Sequence, residues 1–187
     1  IYNPCDIEKI KVLANDKNDE IPDFPYLIHI GRVVRQKRHD VLFAALRDIP
    51  DIKLVLLCKN VKKVRKLAEK MGVADRIITP TFQETPYHWI KHAKLMVFSS
   101  DFEGLGMVLI ESLICDTPVV STNCDFGPSE ILTNELTEYL VPTNDPKQLA
   151  KKVNEALNSK IETQNAEILK KIELSQITKQ YLSLINN

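Results

Sequence analysis

The sequence predicts an α/β fold in which helices cover both faces of a doubly wound parallel sheet. Three observations carry this expectation. Short apolar runs of strand length alternate with segments of helical period along most of the chain. Several runs stop abruptly at turn residues, the first at Gly31 and the third at Pro80. A stretch with two glycines, Glu103-Gly104-Leu105-Gly106-Met107-Val108-Leu109-Ile110-Glu111, links an apolar run to a helical one. Alternation of this kind implies right-handed crossovers, which put the C-terminal ends of all strands on one edge. Ligands of such sheets bind at that edge.

Taken in order, residues 1–25 contain Pro4, Pro22 and Pro25 around a charged stretch, and read as an irregular lead-in rather than a packed element. Strands are expected over 26–30, 52–57, 76–79, 95–99, 119–121 and 139–141. Helices are expected over 39–47, 61–71 (closed by Gly72), 85–91 with Pro86 in the first turn, 107–115, 128–133 and 146–157. The tail, 161–187, has helical period and is rich in Leu, Ile and Lys. The expected division is a linker over 1–25, a ligand-binding α/β domain over 26–157 and a helical tail over 158–187.

Bulk composition removes several function classes. Lys plus Arg equals Asp plus Glu at 25 each among 187 residues, so no global field draws the chain to nucleic acid. No apolar run is long enough to span a bilayer. No signal peptide is evident, and the first residue is Ile1, which suits a piece of a longer protein. Cys5, Cys58, Cys115 and Cys124 form no CxxC pair, so zinc is not expected. Cys58 and Cys115 read as buried apolar residues, and the set suits a reducing, cytoplasmic setting. His88 and His92 are four apart, but Trp89 stands where a HExxH site needs glutamate, so they read as structural.

The candidate site lies in loops on the binding edge. Gly104 and Gly106 fall in a strand-to-helix turn, where glycine lets a ligand approach the main chain. The free amides at the helix start, around Met107, favour an anion. Glu103 sits on the lip of the turn, and Glu111 lies inside the helix among apolar residues, where a carboxylate needs partners. Two carboxylates beside an anion site fit a ligand that also brings hydroxyl donors. A nucleotide-sugar brings both. Gly31-Arg32 follows the first strand and Lys37 comes five residues after Arg32, so two cations can bracket a diphosphate. Alone, Arg32, Arg35, Lys37 and Arg38 read better as a solvated basic turn; the Glu103–Glu111 stretch opposite them reverses that preference in favour of the site. Glu130 reads as a capping carboxylate rather than a ligand contact.

Together these residues resemble the C-terminal domain of retaining GT-B glycosyltransferases, glycosyltransferase family 4. Glu103 to Glu111 looks like that family's EX7E motif, and Gly31-Arg32 with Lys37 like its diphosphate element. Cys115-Asp116-Thr117-Pro118-Val119-Val120-Ser121 is similar to its CGTPVV segment, and Gly127-Pro128-Ser129-Glu130-Ile131-Leu132 to its GPxEIL element, found in builders of bacterial surface polysaccharides. The resemblance implies a Rossmann-like domain, the C-terminal half of a GT-B fold. It implies that Arg32 and Lys37 contact the donor diphosphate, Glu103 the donor sugar and Glu111 the ribose. Gly31, Gly104, Leu105, Gly106 and Met107 would offer main chain. The base would lie between Cys58-Lys59 and Ile78-Thr79.

Further implications follow from the resemblance. The donor is a nucleotide-sugar, UDP-sugar favoured and GDP-sugar possible, with no cofactor and no metal. The acceptor is a saccharide or lipid-linked molecule, reached through an N-terminal domain absent from this sequence. The isolated chain would then bind donor and transfer little. The whole protein would be cytoplasmic, able to work peripherally at the inner membrane face. The different-class alternative is a non-catalytic sugar-nucleotide-binding module or scaffold. Two departures stand out: Cys58-Lys59-Asn60 replaces a glycine-containing turn, and Asp116 replaces a glycine at a position suited to left-handed backbone, which Asp tolerates.

Overall fold

The structure is a computed structural model that describes residues 1–16, 18–80 and 83–185. The chain begins with helix α1 (Ile7–Ala14) and enters the sheet at β1 (Tyr26–Ile30). There follow α2 (His39–Leu46), β2 (Lys53–Leu57), α3 (Val61–Lys70), β3 (Ile77–Ile78), α4 (Tyr87–His92) and β4 (Leu95–Phe98). Then come α5 (Met107–Ile114), β5 (Val119–Thr122), α6 (Pro128–Ile131), β6 (Leu140–Val141) and α7 (Pro146–Leu157). Helices α8 (Glu167–Lys171) and α9 (Leu174–Ile185) close the described chain.

The six strands pair in the order β3-β2-β1-β4-β5-β6, every pair parallel. Winding starts at β1, runs out to β3, then returns past β1 to β4 and out to β6. The order reverses between β1 and β4, which makes that junction the switch point of the sheet. Helices α2, α3 and α7 pack together in one layer, and α1, α4, α5 and α8 in the other. The central strands carry apolar residues on both faces (Tyr26, Leu27 and Ile28; Leu95 to Phe98), because both are covered.

The doubly wound expectation holds, and the differences from the sequence reading have local causes. The lead-in segment is not irregular throughout. Asp6 accepts a hydrogen bond from the Lys9 amide and starts α1, whose Ile10 and Ala14 are buried, with α1 packed on α4 and α5. Strand β3 is two residues long because Ala74–Arg76 forms a tight turn of helix, held as Arg76 donates to the carbonyls of Leu46, Ile49, Pro50 and Ile52. Pro86 caps α4 from outside instead of sitting in its first turn. Tyr139, expected to open the last strand, ends a 3-10 helix over Asn134–Tyr139. Asp116 does take the left-handed conformation, with φ 60°.

The tail is tied to the start of the chain. The Cys5 amide donates to the Ile172 carbonyl at 3.0 Å, and Ile168 and Ile172 are buried in the common core. Residues 186–187, part of the expected tail, lie outside the described residues.

Two histidines make the interior acid-sensitive. His29 in β1 and His39 at the start of α2 lie edge to face, ring centroids 4.9 Å apart, and both are buried. Burial, then His39, then Lys37 hold His29 well below the ordinary histidine value, against a raising contact with the Val97 carbonyl. Burial, then Lys37 and Lys63, lower His39 to about 4, only partly offset by Asp40. A depressed imidazole favours the neutral folded form, so its stabilisation is complete above the unfolded value near 6.5. It fades as pH falls toward 4. The expected loss from His39 over that window is on the order of 3 kcal/mol. Urea unfolding at pH 7 and pH 4.5 should show a smaller acid loss in His39→Gln than in the parent chain. Equal losses would remove His39 as the cause.

Candidate active site at the switch point of the sheet

Lys37 and Glu103, 66 residues apart, meet directly at the junction of β1 and β4. The Lys37 ammonium donates to Glu103 Oε1 at 2.8 Å and lies 4.6 Å from the centroid of the Phe98 ring. Both side chains are nearly closed off from water, at 12% and 10% exposure.

Several bonds hold the two loops together. Ser99 Oγ donates to the Lys37 carbonyl at 2.8 Å, and the Asp101 amide donates to the Gln36 carbonyl at 2.9 Å. Gln36 Nε2 donates to the Phe102 carbonyl at 2.6 Å and to Glu103 Oε1 at 3.3 Å. Arg38, in left-handed backbone with φ 45°, donates to Asp101 and Asp40 and reaches Asn144. Those carboxylates raise Arg38 further above its ordinary value, Asp40 first. Arg38 is therefore a structural staple, whereas the sequence left it in a generic basic turn.

Gly31 keeps the β1 end open for Lys37. A Cβ there would lie 3.3 Å from His29 Nε2 and 3.4 Å from the Lys37 stem. Arg32 is exposed, and among the described residues its guanidinium makes no hydrogen bond or ion pair. Gly31 and Arg32 line a cavity of 310 Å³ together with Ile30, Leu57, Cys58, Lys59, Gln83 and Pro86. This brings the β1 and β2 loops into one apolar recess. Cys58 is half-buried on its wall, not fully buried as its sequence context suggested, and burial raises its thiol above the ordinary value.

Ile78 and Thr79 do not line that recess, and the Thr79 hydroxyl accepts a hydrogen bond from Arg65 Nε at 3.1 Å. The recess wall opposite β2 comes instead from Gln83 and Pro86, which sequence reasoning did not assign.

On the other side of the switch point, Gly106 caps α5 in left-handed backbone, φ 80°, with no side chain capping the helix amides. No side chain competes for the first amides of α5, an arrangement that leaves a helix start able to receive an anion. Gly104 is exposed, with open space where a Cβ would stand, and Leu105 is partly buried. Glu111 is half-buried on α5 and has no hydrogen bond or ion pair from its carboxylate among the described residues; burial raises its carboxyl above the ordinary value. It acts electrostatically on Tyr87 of α4, the neighbour of recess residue Pro86. It does not itself line the recess. Glu130 is a capping residue, as read: its Oε1 accepts the Gly127 amide at 3.3 Å, and its Oε2 accepts the Tyr2 hydroxyl at 3.2 Å.

Residues 13–172 match the family described as glycosyl transferases group 1. The chain belongs to that family. An uncharacterised glycosyltransferase of Methanocaldococcus jannaschii is 33% identical over 149 residues, covering 73% of this chain and 36% of that protein. The Campylobacter jejuni N-acetylgalactosamine-N,N'-diacetylbacillosaminyl-diphospho-undecaprenol 4-alpha-N-acetylgalactosaminyltransferase is 27% identical, covering 97% of this chain and 52% of that one. This group 1 chain therefore spans about half the length, or less, of these relatives. Among solved structures, Anabaena HepE in complex with UDP and glucose superposes with a TM-score of 0.78 at 19% identity, over 100% of this chain and 56% of that one. The likeness shows the fold: the whole of this chain takes the arrangement of about half of that one. No described helix is long and apolar enough to cross a membrane.

Proposed function

We propose that this chain is the donor-binding half of a retaining, family 4 glycosyltransferase. The donor is a nucleotide-sugar, with UDP favoured over GDP. The sugar is a hexose or N-acetylhexosamine, and the acceptor is a saccharide or lipid-linked molecule of bacterial surface polysaccharide or lipopolysaccharide synthesis. One observation carries the reading most: Lys37 and Glu103 converge at the switch point, beside the recess that Arg32 lines. The Campylobacter jejuni relative, named for transfer of N-acetylgalactosamine to a diphospho-undecaprenol-linked acceptor, supports the lipid-linked and N-acetylhexosamine options.

The proposed roles are those the family resemblance implies, and the meeting of Lys37 with Glu103 beside the recess supports them. The base enters the recess between Gly31 and Cys58-Lys59, and Glu111 accepts from ribose hydroxyls. Arg32, which has no ion-pair partner to give up among the described residues, and Lys37 face the diphosphate with the amides at the start of α5. As the glycosyl bond breaks, charge grows on the leaving diphosphate, and fixed cations and amides stabilise it without reorganising. Glu103 accepts from hydroxyls of the sugar. An N-terminal domain supplies the acceptor, and the whole enzyme works in the cytoplasm, meeting lipid-linked acceptors at the inner membrane face.

The test is calorimetric titration of the chain with UDP, GDP and their sugars. Binding that needs the diphosphate, and is tighter for uridine, is the expected result. Equal indifference to all four ligand classes would sink the donor reading.

A further inference from the structure

The Lys37–Glu103 ion pair joins two groups that the proposed reaction uses on different parts of one ligand. Their contact in the free chain is short and shielded, and Gln36 adds a second donor to the same carboxylate oxygen. Such a pair is screened little by salt. Breaking it exposes each desolvated charge to a penalty unless both partners find replacements. A glycosylated diphosphate supplies both: phosphate for the ammonium and hydroxyls for the carboxylate. A bare diphosphate supplies only the first. It also brings its own negative charge next to a carboxylate that has just lost its cation.

We propose that Glu103 is the resident counter-ion of Lys37, and that their pairing makes the site discriminate against the bare nucleoside diphosphate in favour of the glycosylated one. Gln36 is the positioning residue of this latch, because it ties Glu103 and the Phe102 carbonyl to the Lys37 loop. The bare diphosphate is the product of the proposed transfer, so closure of the pair drives its release. The inference rests on the donor-binding reading above and extends it to regulation of the same site.

The experiment compares the chain with its Glu103→Gln variant, which keeps the side-chain shape and removes the charge. Both are titrated with UDP, with UDP-glucose, UDP-galactose and UDP-N-acetylglucosamine, and with inorganic pyrophosphate. The variant is expected to bind UDP and pyrophosphate about three- to tenfold more tightly. Its preference for the best UDP-sugar over UDP should fall at the same time. Unchanged or weaker binding of UDP and pyrophosphate in the variant overturns the latch while leaving the donor reading intact. Pyrophosphate that binds, and tightens in the variant, beside uridine ligands that do not bind keeps Glu103 as the counter-ion of Lys37 but overturns both the proposed discrimination and the uridine preference. Absence of binding by every ligand overturns both.

A second measurement needs no variant. In a structure of the parent chain with pyrophosphate, the Lys37 Nζ to Glu103 Oε1 distance should open beyond the ion-pair range. An intact pair at its present distance would overturn the latch.

Discussion

Replacing Lys37 by alanine is expected to weaken UDP binding by about a hundredfold, on the order of 3 kcal/mol. Two losses act in the same direction. The variant removes the cation that faces the diphosphate. It also strands Glu103, which is 10% exposed and has Lys37 as its only ion-pair partner among the described residues. The stranded carboxylate then repels the incoming phosphates. Lys37→Arg should recover only part of the loss, because a planar fork does not reproduce the point contact that the ammonium makes with Glu103 over the Phe98 ring. Adding Glu103→Gln to Lys37→Ala should restore part of the affinity, since it removes the stranded charge; the non-additivity measures the coupling. In a full-length enzyme, transfer should fall by about 10²–10³ if the lysine stabilises the leaving group. Lys37→Ala binding UDP within twofold of the parent chain would remove this residue from the site.

The parts of this fold that were legible in sequence are those set by local pattern. The buried run Leu95 to Phe98 and the helix after Gly106 announce themselves by apolar period and by two glycines in the turn. The left-handed backbone of Asp116 was legible through the resemblance, because it stands where the family's CGTP segment has glycine. The helix at Ile7–Ala14 was obscured by flanking prolines, although Asp6 with Ile7, Ile10 and Ala14 at helical spacing carries its signal.

Site residues whose role depends on distant partners were less legible. Gln36 sits next to Lys37 in sequence, but its reach to Phe102 and Glu103 spans more than sixty residues. Arg38 looked like one more basic turn residue until Asp101 and Asn144 arrived from two other loops. The family resemblance implied that Ile78 and Thr79 form a wall of the recess. The brevity of β3 and the Arg65–Thr79 bond leave that wall to Gln83 and Pro86. Electrostatic pairing of Lys37 with Glu103 was not anticipated, because the two had been read as contacting different parts of a ligand.

Gly127→Ala is expected to be the most damaging of the glycine-to-alanine changes in this chain. Gly127 is buried with φ 80°, a conformation that a side chain strains by itself. A Cβ there would stand 2.5 Å from the Leu105 carbonyl oxygen, 2.8 Å from its carbon and 3.0 Å from the Gly104 carbonyl oxygen. All three are backbone atoms, so no rotamer change relieves the clash. One loop or the other must move. The two are joined at Glu103, whose amide donates to the Asp125 carbonyl at 3.3 Å, so the movement reaches the carboxylate paired with Lys37. The expected loss is about 2–4 kcal/mol, read as a drop in melting temperature of roughly 5–15 °C for a chain of this size. UDP-sugar affinity should fall with it, because the amides at the start of α5 are displaced. Gly104→Ala is the control: it lies in the same pair of loops, yet nothing stands within 4 Å of its added Cβ. Its stability should stay within about 0.5 kcal/mol of the parent. Urea unfolding of both variants decides the matter, and a Gly127→Ala chain as stable as Gly104→Ala would show that the two loops are not packed against each other as described.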